Sequence, residues 1–318
     1  MAQTQPYGIV IHGGAGYITP DRYSPEEIEA FESKLSEALN AGYSILENNG
    51  TSEEAVIAAI KILEDSPLFN AGKGSVLNHD GHVEMDASIM RGNDLKAGAV
   101  ASITQIKNPI LAAQAVMNKS HHVMLCGIGA DEFGKTMGLT IEKPAYFITE
   151  DKKQALNKAL ESERTELDHG HGQVSPKSQD YKYGTVGAVA LDKNGNLCAG
   201  TSTGGMTNKR HNRVGDSPII GAGTYANNET CAISCTGHGE YFIRLSVAHE
   251  INSLMKYEGL SLEEAANQVV QIELKDMGGD GGLIGIDSDG NITTSFNTSG
   301  MFRGFRTNKL EAKILIFK

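Results

Sequence analysis

Two spacings of apolar residues run through this chain, and the switches between them mark its elements. "YGIVIHGGAG" opens on a short β stretch over 7–11 that ends in a glycine turn. Ser24 then precedes Pro25, with Glu27 completing a capping box and proline at the first helical position. Ile28, Phe31, Leu35, Leu39 and Leu46 recur behind it at helical spacing. Thr51 and Glu54 repeat the capping signature, and "AVIAAIKILE" carries a second helix to Glu64. The glycine-rich "LFNAGKGSVLNHDGHVEMDASIMRG" predicts two hairpin strands around Asp80-Gly81 and a third strand in "MDASIM". "AGAVASIT" reads as a buried strand and "NPILAAQAVMNKS" as a helix capped by Asn108. "HHVMLCGIGADEFGKTMG" reads as a strand followed by a short helix.

From 151 to 184 the pattern lapses. "KKQALNKALESER" reads as a solvated helix, and the polar remainder, with "HGHGQVSPKSQ", as a loose linker. The β spacing then returns in "TVGAVALD", with Asn194-Gly195 as a hairpin turn, followed by "LCAGTST", a glycine loop, "PIIGAGTYAN" and "CAISCTG". Helices are expected over 240–256 and 261–277, the second with Ser261 and Glu264 as its capping box. "GGLIGIDSDGNITTSFNTSGMFRGF" and "AKILIF" add further strands. Two runs of strands with their helices grouped together predict stacked sheets covered by helices on the outside.

A length of 318 residues allows one large domain or two small ones. The net charge of -11, with no local Lys/Arg cluster, argues against a nucleic-acid partner. "MAQTQPYGIVIHGGAG" has no charged leader region, and no apolar run approaches the ~18–20 residues of a membrane helix. A cytoplasmic protein with no membrane partner is therefore expected. Cys126, Cys198, Cys231 and Cys235 fit that compartment. On a strand, the two cysteines of "TCAISC" would stand ~13 Å apart, against the ~4.4–6.8 Å a disulfide requires. His238 is near them, but the spacing of a zinc site is absent. Both cysteines read as buried structural thiols.

The candidate chemistry begins at "YGTVGAV" (183–189), where a core strand starts on a threonine just after the polar tract. A threonine hydroxyl is a weak nucleophile without a base. If the bond after Gly184 were cut, the new α-amine of Thr185, with a pKa near ~7.7–8.0, could take the hydroxyl proton itself. Gly184 tolerates a strained conformation, and a linker upstream can leave once freed. Those seven residues alone fit a plain core strand after a loop more readily. The other motifs reverse that balance.

"NAGKGSVLN" (70–78), "MDASIM" (85–90), "GTVGAVALD" (184–192), "TSTGGMTNKRHNRVGDSPIIGAGTYA" (201–226), "SCTGHGE" (234–240) and "FNTSGM" (296–301), with "HGGAG" (12–16), resemble the plant-type asparaginase / isoaspartyl peptidase family of N-terminal-nucleophile (Ntn) hydrolases. The resemblance runs nearly end to end. It implies an α+β fold, a four-layer αββα sandwich, in which residues 1–184 become an α subunit with 150–184 as a flexible linker. Residues 185–318 become a β subunit headed by Thr185, and the assembly is (αβ)₂. Position by position, it implies cleavage between Gly184 and Thr185, Thr185 as the nucleophile, and Thr203 as the threonine that hydrogen-bonds it. Arg213 and Asp216 match the pair that grips the substrate's α-carboxylate and α-ammonium, and Gly239 assists the ammonium. Thr236 and Gly237 match the oxyanion hole, and Asn70 a residue near the nucleophile. The stretch 63–73 matches a loop that binds sodium through backbone carbonyls, implying Leu63, Glu64, Ser66, Phe69, Ala71 and Lys73 as ligands. No cofactor for catalysis is implied.

The chemistry of these residue types agrees. An amino-acid head needs a cation and an anion close together, and Arg213 offers a planar fork for a carboxylate. A surface ion pair is the plainer explanation, weakened by the glycine-rich loop between strands. A Thr-Gly pair at a strand end supplies a hydroxyl and an N–H for an oxyanion. Glu240 reads as a helix N-terminal acid. Carbonyl oxygens suit a hard cation. His12, His121, His122, His169 and His171 read as structural or linker residues; His238 and His211 stand at variable positions.

The expected activity is hydrolysis of β-aspartyl (isoaspartyl) dipeptides and L-asparagine through a β-aspartyl-enzyme ester. Both substrates share the head that the named residues touch. Glycosylasparaginase is the alternative within the superfamily, but its members usually place aspartate before the threonine, where Gly184 stands here. A non-processing relative that only binds aspartyl compounds is the alternative from another class. A hydrolase of long proteins fits less well, because Arg213 and Asp216 demand a free amino-acid head.

Overall fold

A computed structural model describes residues 5–168 and 184–318; the intervening stretch, with His169 and His171, lies outside the described residues. In chain order the elements are β1 (Gly8–Gly16), α1 (Pro25–Glu47), α2 (Ser52–Glu64), β2 (Met85–Arg91), β3 (Ala97–Ile103), α3 (Pro109–Lys119), β4 (Met124–Cys126), α4 (Gly127–Thr136), α5 (Pro144–Phe147) and α6 (Glu150–Asp168). Then come β5 (Val186–Leu191), β6 (Leu197–Thr203), β7 (Thr224–Ala226), β8 (Cys231–Gly237), α7 (Gly239–Leu245), α8 (Val247–Ser253), α9 (Leu262–Asn267) and α10 (Leu274–Asp276). The last strands are β9 (Gly281–Asp287), β10 (Ile292–Thr293), β11 (Gly300–Thr307) and β12 (Lys313–Phe317). Among the described residues no helix is long and apolar enough to cross a membrane.

An eight-stranded sheet has the order β12-β11-β1-β5-β6-β2-β3-β4, and a four-stranded sheet the order β10-β9-β8-β7. The period of two along each strand sorts side chains between layers. Ile9 and Ile11 of β1, with Val186, Ala188 and Ala190 of β5, pack with Leu35, Leu39 and Leu46 of α1 and with Val56 and Ile60 of α2. The alternate residues Val10, Val189 and Leu191 face the second sheet and meet Ala232, Ile284 and Ile286. On the far side of that sheet, Cys231, Ile233 and Cys235 pack with Phe242, Val247, Ile251 and Val269. The layers are therefore α, β, β, α. The two cysteines of β8 lie free on its outer face, and burial pushes the Cys231 thiol up to about 12.

All three capping boxes form: Ser24 with Glu27, Thr51 with Glu54, and Ser261 with Glu264. Each such cap contributes about 1 kcal/mol.

Several expectations are corrected. The glycines after His12 make no turn. β1 runs through them to Gly16, paired with β11 across a bulge between His12 and Gly14. Around Asp80-Gly81 there is a turn but no hairpin strands. The Asn78 carboxamide accepts from the N–H groups of Asp80 and His82, and the flanking backbone bonds instead to Asn208 and Lys209. Asn108 occupies the cap position of α3 but makes no cap bond; the Glu64 carboxylate takes the Ile110 N–H (2.9 Å) in its place. The helix expected in "KKQALNKALESER" forms within α6, but it starts at Glu150, where the linker was expected to begin, and it buries Leu156 against the first core instead of standing wholly in solvent. "PIIGAGTYAN" contributes only the short β7. The helix expected over 240–256 breaks at Ser246, whose φ of 51° is left-handed, and a π-helical turn follows at Leu254–Glu258. The helix over 261–277 is interrupted by a π-helical turn at Gln268–Glu273.

Candidate active site

Thr185 precedes β5 by one residue and shares the inward face with Val189. On the neighbouring strand β6, Leu197, Ala199, Thr201 and Thr203 share the same face, and the register Val186↔Ser202, Gly187↔Thr201 brings the ends together. Thr185 Oγ1 donates to Thr203 Oγ1 at 3.1 Å, and Thr203 Oγ1 also accepts the Gly205 N–H at 3.1 Å. Both threonines are buried. They open on a small pocket lined by Thr185, Thr203, Gly205, Arg213, Asp216 and Gly237, among others.

The loop between β6 and β7 supplies the charged wall. Asp216 is buried, its Oδ2 has no hydrogen-bond partner, and burial pushes its pKa up to about 7 against the pull of Arg213. Arg213 does not pair with Asp216. Its Nε and Nη2 donate to the two carboxylate oxygens of Glu240 at 2.9 and 2.7 Å. His238 Nε2 lies 3.3 Å from Glu240 Oε2, and the hydrogen bonds from His238 and Arg213 hold the Glu240 carboxyl well below the usual range. Glu240 does stand in the first turn of α7, as expected, but its main contact is this grip on the arginine. At Gly239 a Cβ would stand 2.9 Å from Arg213 Nη2 and 3.0 Å from Asp216 Oδ1, so only glycine lets the chain pass both charges.

Asn70 ties the pocket floor together. Its Oδ1 accepts from Val76 N (2.9 Å) and its Nδ2 donates to Gly205 O (2.8 Å). A Cβ on Gly184 would lie 2.9 Å from Asn70 Cβ, which places Asn70 beside the Gly184–Thr185 bond. Thr236 points inward from β8 and its Oγ1 accepts the Ala15 N–H at 3.4 Å; Gly237 follows it into the lining. The structure thus brings Thr185, Thr203, Arg213, Asp216, Gly237, Gly239 and Asn70 to one place, with Thr236 next to Gly237.

The stretch 63–73 wraps tightly on itself. A Cβ on Gly72 would lie 2.3 Å from the Glu64 carbonyl oxygen, and one on Gly74 would lie 2.0 Å from that of Phe69. The carbonyl oxygens of Glu64 and Phe69 thus lie close against Gly72 and Gly74, which leaves no room for a side chain at either glycine. Among the described residues no group of three or more His, Cys, Asp or Glu side chains could hold a metal. The Glu64 side chain faces elsewhere. It accepts from Ser202 Oγ at 2.6 Å, and burial pushes its pKa up to about 8.

Sequence reasoning left His12 as a structural residue. It is fully buried, and its Nδ1 lies 3.0 Å from the Thr185 carbonyl oxygen, so Nδ1 carries the proton and donates. Nε2 then accepts from Ser234 Oγ at 2.9 Å. Burial pushes His12 down to about 3, so the ring is neutral. The hydrogen bonds continue from Ser234 to Thr201 (2.7 Å), Thr224 (2.5 Å) and Ser88 (2.8 Å), and end on the carbonyl of Ser217 (2.6 Å). This ladder links the backbone of Thr185 to the residue after Asp216. Its signal in the sequence is an isolated polar residue on the inward face of several otherwise apolar strands.

A threonine at a strand start, a partner hydroxyl and an adjacent Thr-Gly strand end within an αββα sandwich are features of an Ntn hydrolase. A family model described as asparaginase matches residues 4–316. The chain is 48% identical over 297 residues to an isoaspartyl peptidase of Escherichia coli K12, covering 93% of this chain and 92% of that one. It is 43% identical over 302 residues to a plant-type L-asparaginase of Pyrococcus abyssi, covering 93% and 95%. It is 41% identical over 308 residues to an isoaspartyl peptidase/L-asparaginase of Rattus norvegicus, covering 96% and 88%. The chain belongs to the asparaginase family of Ntn hydrolases.

Proposed function

We propose that this chain cleaves itself between Gly184 and Thr185 and then hydrolyses β-aspartyl dipeptides and L-asparagine. The observation that carries the reading is the 3.1 Å contact of Thr185 Oγ1 with Thr203 Oγ1 at the mouth of a pocket walled by Arg213 and Asp216. After cleavage the Thr185 α-amine takes the proton of Oγ1. Oγ1 attacks the side-chain carbonyl carbon of the aspartyl head, and donors from Thr236 and Gly237 receive the oxyanion. The C–N bond breaks, and the ammonium of Thr185 returns its proton to the departing ammonia or amine. Water then attacks the ester, releasing aspartate and restoring the hydroxyl. Arg213, once exchanged from Glu240, holds the α-carboxylate, and ionised Asp216 holds the α-ammonium. Nothing in this set reads the leaving group, which is why one pocket would serve both substrates.

In this reading residues 1–184 and 185–318 are the two subunits of one layered domain, and two such pairs assemble as (αβ)₂. The exposed apolar Val123, Met124 and Ile128 around the edge strand β4 support burial against another copy. A sodium ion held by the backbone carbonyls of Leu63, Glu64, Ser66, Phe69, Ala71 and Lys73 stiffens the loop that carries Asn70 and takes no part in the chemistry. The enzyme works in the cytoplasm.

Intact mass and N-terminal sequencing after incubation at neutral pH test the cleavage. Two fragments, one beginning Thr-Val-Gly-Ala, with turnover of a β-aspartyl dipeptide, are the expected result. A chain that stays whole and inert toward both substrates would overturn the reading.

A further inference from the structure

Self-cleavage, on which this inference rests, raises a problem the mature site does not have. Before the Gly184–Thr185 bond is cut, Thr185 has no free amine, so another group must accept its hydroxyl proton. The contacts of Thr203 narrow the choice. Thr203 Oγ1 accepts from Thr185 and from Gly205, but among the described residues no hydrogen bond uses its own proton.

Directly across the β2–β6 ladder from Thr203 stands Asp86. Asp86 shares the inward face of β2 with Ser88 and Met90, and it is fully buried. Its Oδ1 accepts the Ser102 N–H at 2.8 Å, whereas its Oδ2 has no partner. Thr203 thus holds a donor without an acceptor, and its cross-strand neighbour an acceptor without a donor. Facing residues in such a ladder have Cβ atoms about 4.5–5.5 Å apart, a gap that a rotamer change or one bridging water closes.

The local backbone is shaped to aim this carboxylate. The β2–β3 register slips between Met85 and Ala87, so Asp86 stands opposite a bulge in β3, in which Ser102 adopts a φ of 53°. Bulges re-aim side chains near active sites, and a left-handed serine is a strained conformation. The Asp86–Ser102 bond holds it. Around the carboxylate stand Lys209 and Arg213 from the loop after β6, which favour its charge, and Glu84, which opposes it. Lys209 Nζ is anchored by the Glu84 carbonyl at 2.7 Å.

We propose that Asp86, acting through Thr203, accepts the proton released when Thr185 attacks the Gly184 carbonyl during self-cleavage. Asp86 touches no reacting atom; it is a positioning residue that orients Thr203 and takes over its proton. The Thr185 Oγ–H proton passes to Thr203 Oγ, and the Thr203 proton passes to Asp86 Oδ2. Oγ of Thr185 bonds to the Gly184 carbonyl carbon. When the C–N bond breaks, the Thr185 nitrogen leaves as an amine and recovers the proton from Asp86 by the same route. The resulting ester of Gly184 on Thr185 is hydrolysed by water, giving the Gly184 carboxyl group and the free hydroxyl. Turnover of substrate then uses the new amine, and Asp86 is no longer required as acceptor.

The test is the rate of fragment appearance, by intact mass, for the full chain carrying Asp86→Asn, from pH 5 to 9. Asparagine keeps the bond from Ser102, so the bulge is retained. Cleavage should slow about 100-fold or more, the usual worth of a positioned base. The wild-type rate should climb as pH rises through the ionisation of this carboxylate, which burial raises above its ordinary range. Asp86→Asn should lose that climb while keeping Asp216, the raised carboxyl group of the β6–β7 loop. Per N-terminal threonine formed, kcat should stay within about tenfold of wild type, because loss of a base costs about 100-fold or more only in the step that uses it. Asp86→Glu, which retains a carboxylate, should recover cleavage in part and serves as the comparison should the asparagine variant fail to fold. A cleaving wild type beside an Asp86→Asn chain that cuts equally fast, or that keeps the wild-type pH climb, would overturn this inference alone. A wild-type chain that never cuts would overturn the cleavage reading and this inference with it.

Discussion

Replacing Asp216 by asparagine should make the folded protein more stable and the enzyme worse, with the gain confined to neutral and alkaline pH. Burial raises the Asp216 pKa from 3.8 to about 7. Below 3.8 the carboxyl is protonated in both folded and unfolded chains and contributes nothing to the difference. Between 3.8 and about 7 the unfolded chain ionises while the folded one keeps its proton, so folding becomes less favourable as pH rises. Above about 7 the loss is complete. At about 1.4 kcal/mol for each tenfold change in the ionisation constant, the ceiling is about 4 kcal/mol. Relaxation around the ionised group lowers it to about 2–4 kcal/mol. Asparagine fills the same space without a charge, so it escapes this cost. In a chain of this size 1 kcal/mol moves the melting midpoint about 2 °C, and the variant should melt about 4–8 °C higher at pH 8. Near pH 4 the two midpoints should coincide. The same variant lacks the anion proposed to meet the substrate's ammonium, a charge-assisted bond of about 1.5–3 kcal/mol, and kcat/KM should fall about 10- to 150-fold. Wild-type kcat/KM should itself decline as pH drops through about 7, and more steeply than that of the variant, in which only the Thr185 α-amine still titrates over that limb. Scanning calorimetry of the cleaved proteins from pH 4 to 8 supplies the comparison. An asparagine variant no more stable than wild type at pH 8, or equally favoured at pH 4, would falsify the assignment of a buried, ionisable and otherwise unpartnered Asp216.

Two further variants separate the roles around the nucleophile. Thr203→Val keeps the branched shape but removes the oxygen that accepts from Thr185, so kcat should fall about 100-fold. Steady-state kinetics should find KM changed by less than about threefold, since uniform binding is untouched. Glu240→Gln removes the charge that competes with substrate for Arg213. Weakening that ion pair by about 1.5 kcal/mol should lower KM for an L-aspartyl substrate about tenfold, and isothermal titration with L-aspartate should show the same gain.

The helical starts were legible because their chemistry is local. Ser24, Thr51 and Ser261 each meet a glutamate three residues on, and all three boxes form. The glycines of "HGGAG" misled because turn and bulged strand use the same residue, and only pairing with β11 decides between them. Asp80-Gly81 forms its turn, but strands need partners, and the neighbouring backbone bonds to the loop at 208–209 instead. Ser246 carries no local sign that the helix will break there. In the site, Thr203, Arg213 and Asp216 were readable only through the likeness of long motifs, since a lone threonine or an Arg-x-x-Asp means little. The hold of Glu240 on Arg213, the bond from His12 to Thr185 and the facing of Asp86 with Thr203 are tertiary or depend on register. No spacing along one segment reveals them.

The buried polar residues between the sheets fall into two kinds, and the division has mechanistic content. A polar atom taken from water without a partner costs about 1–3 kcal/mol, so each one left open requires a reason. His12, Ser234, Thr201, Thr224 and Ser88 form a ladder in which each group has a partner. A satisfied network of this kind rigidifies its surroundings, and this one ends on the Thr185 backbone. The open atoms are different. Thr19 Oγ1 and Arg303 Nε aside, the unpartnered buried atoms among the described residues belong to Glu64, Ser75, Glu84, Asp86 and Asp216. Glu64 holds Ser202, next to Thr203; Ser75 would meet a Cβ on Gly204; Glu84 anchors Lys209, which lies against Gly205. Asp86 faces Thr203 and Asp216 lines the pocket. Stability alone would not gather so many unmet acceptors at one strand end. In the proposed reading two of them have a donor to receive: Asp86 the proton of the nucleophile, passed on through Thr203, and Asp216 the ammonium of the substrate. The closed ladder fixes where Thr185 stands, and the open carboxylates set what can happen to it.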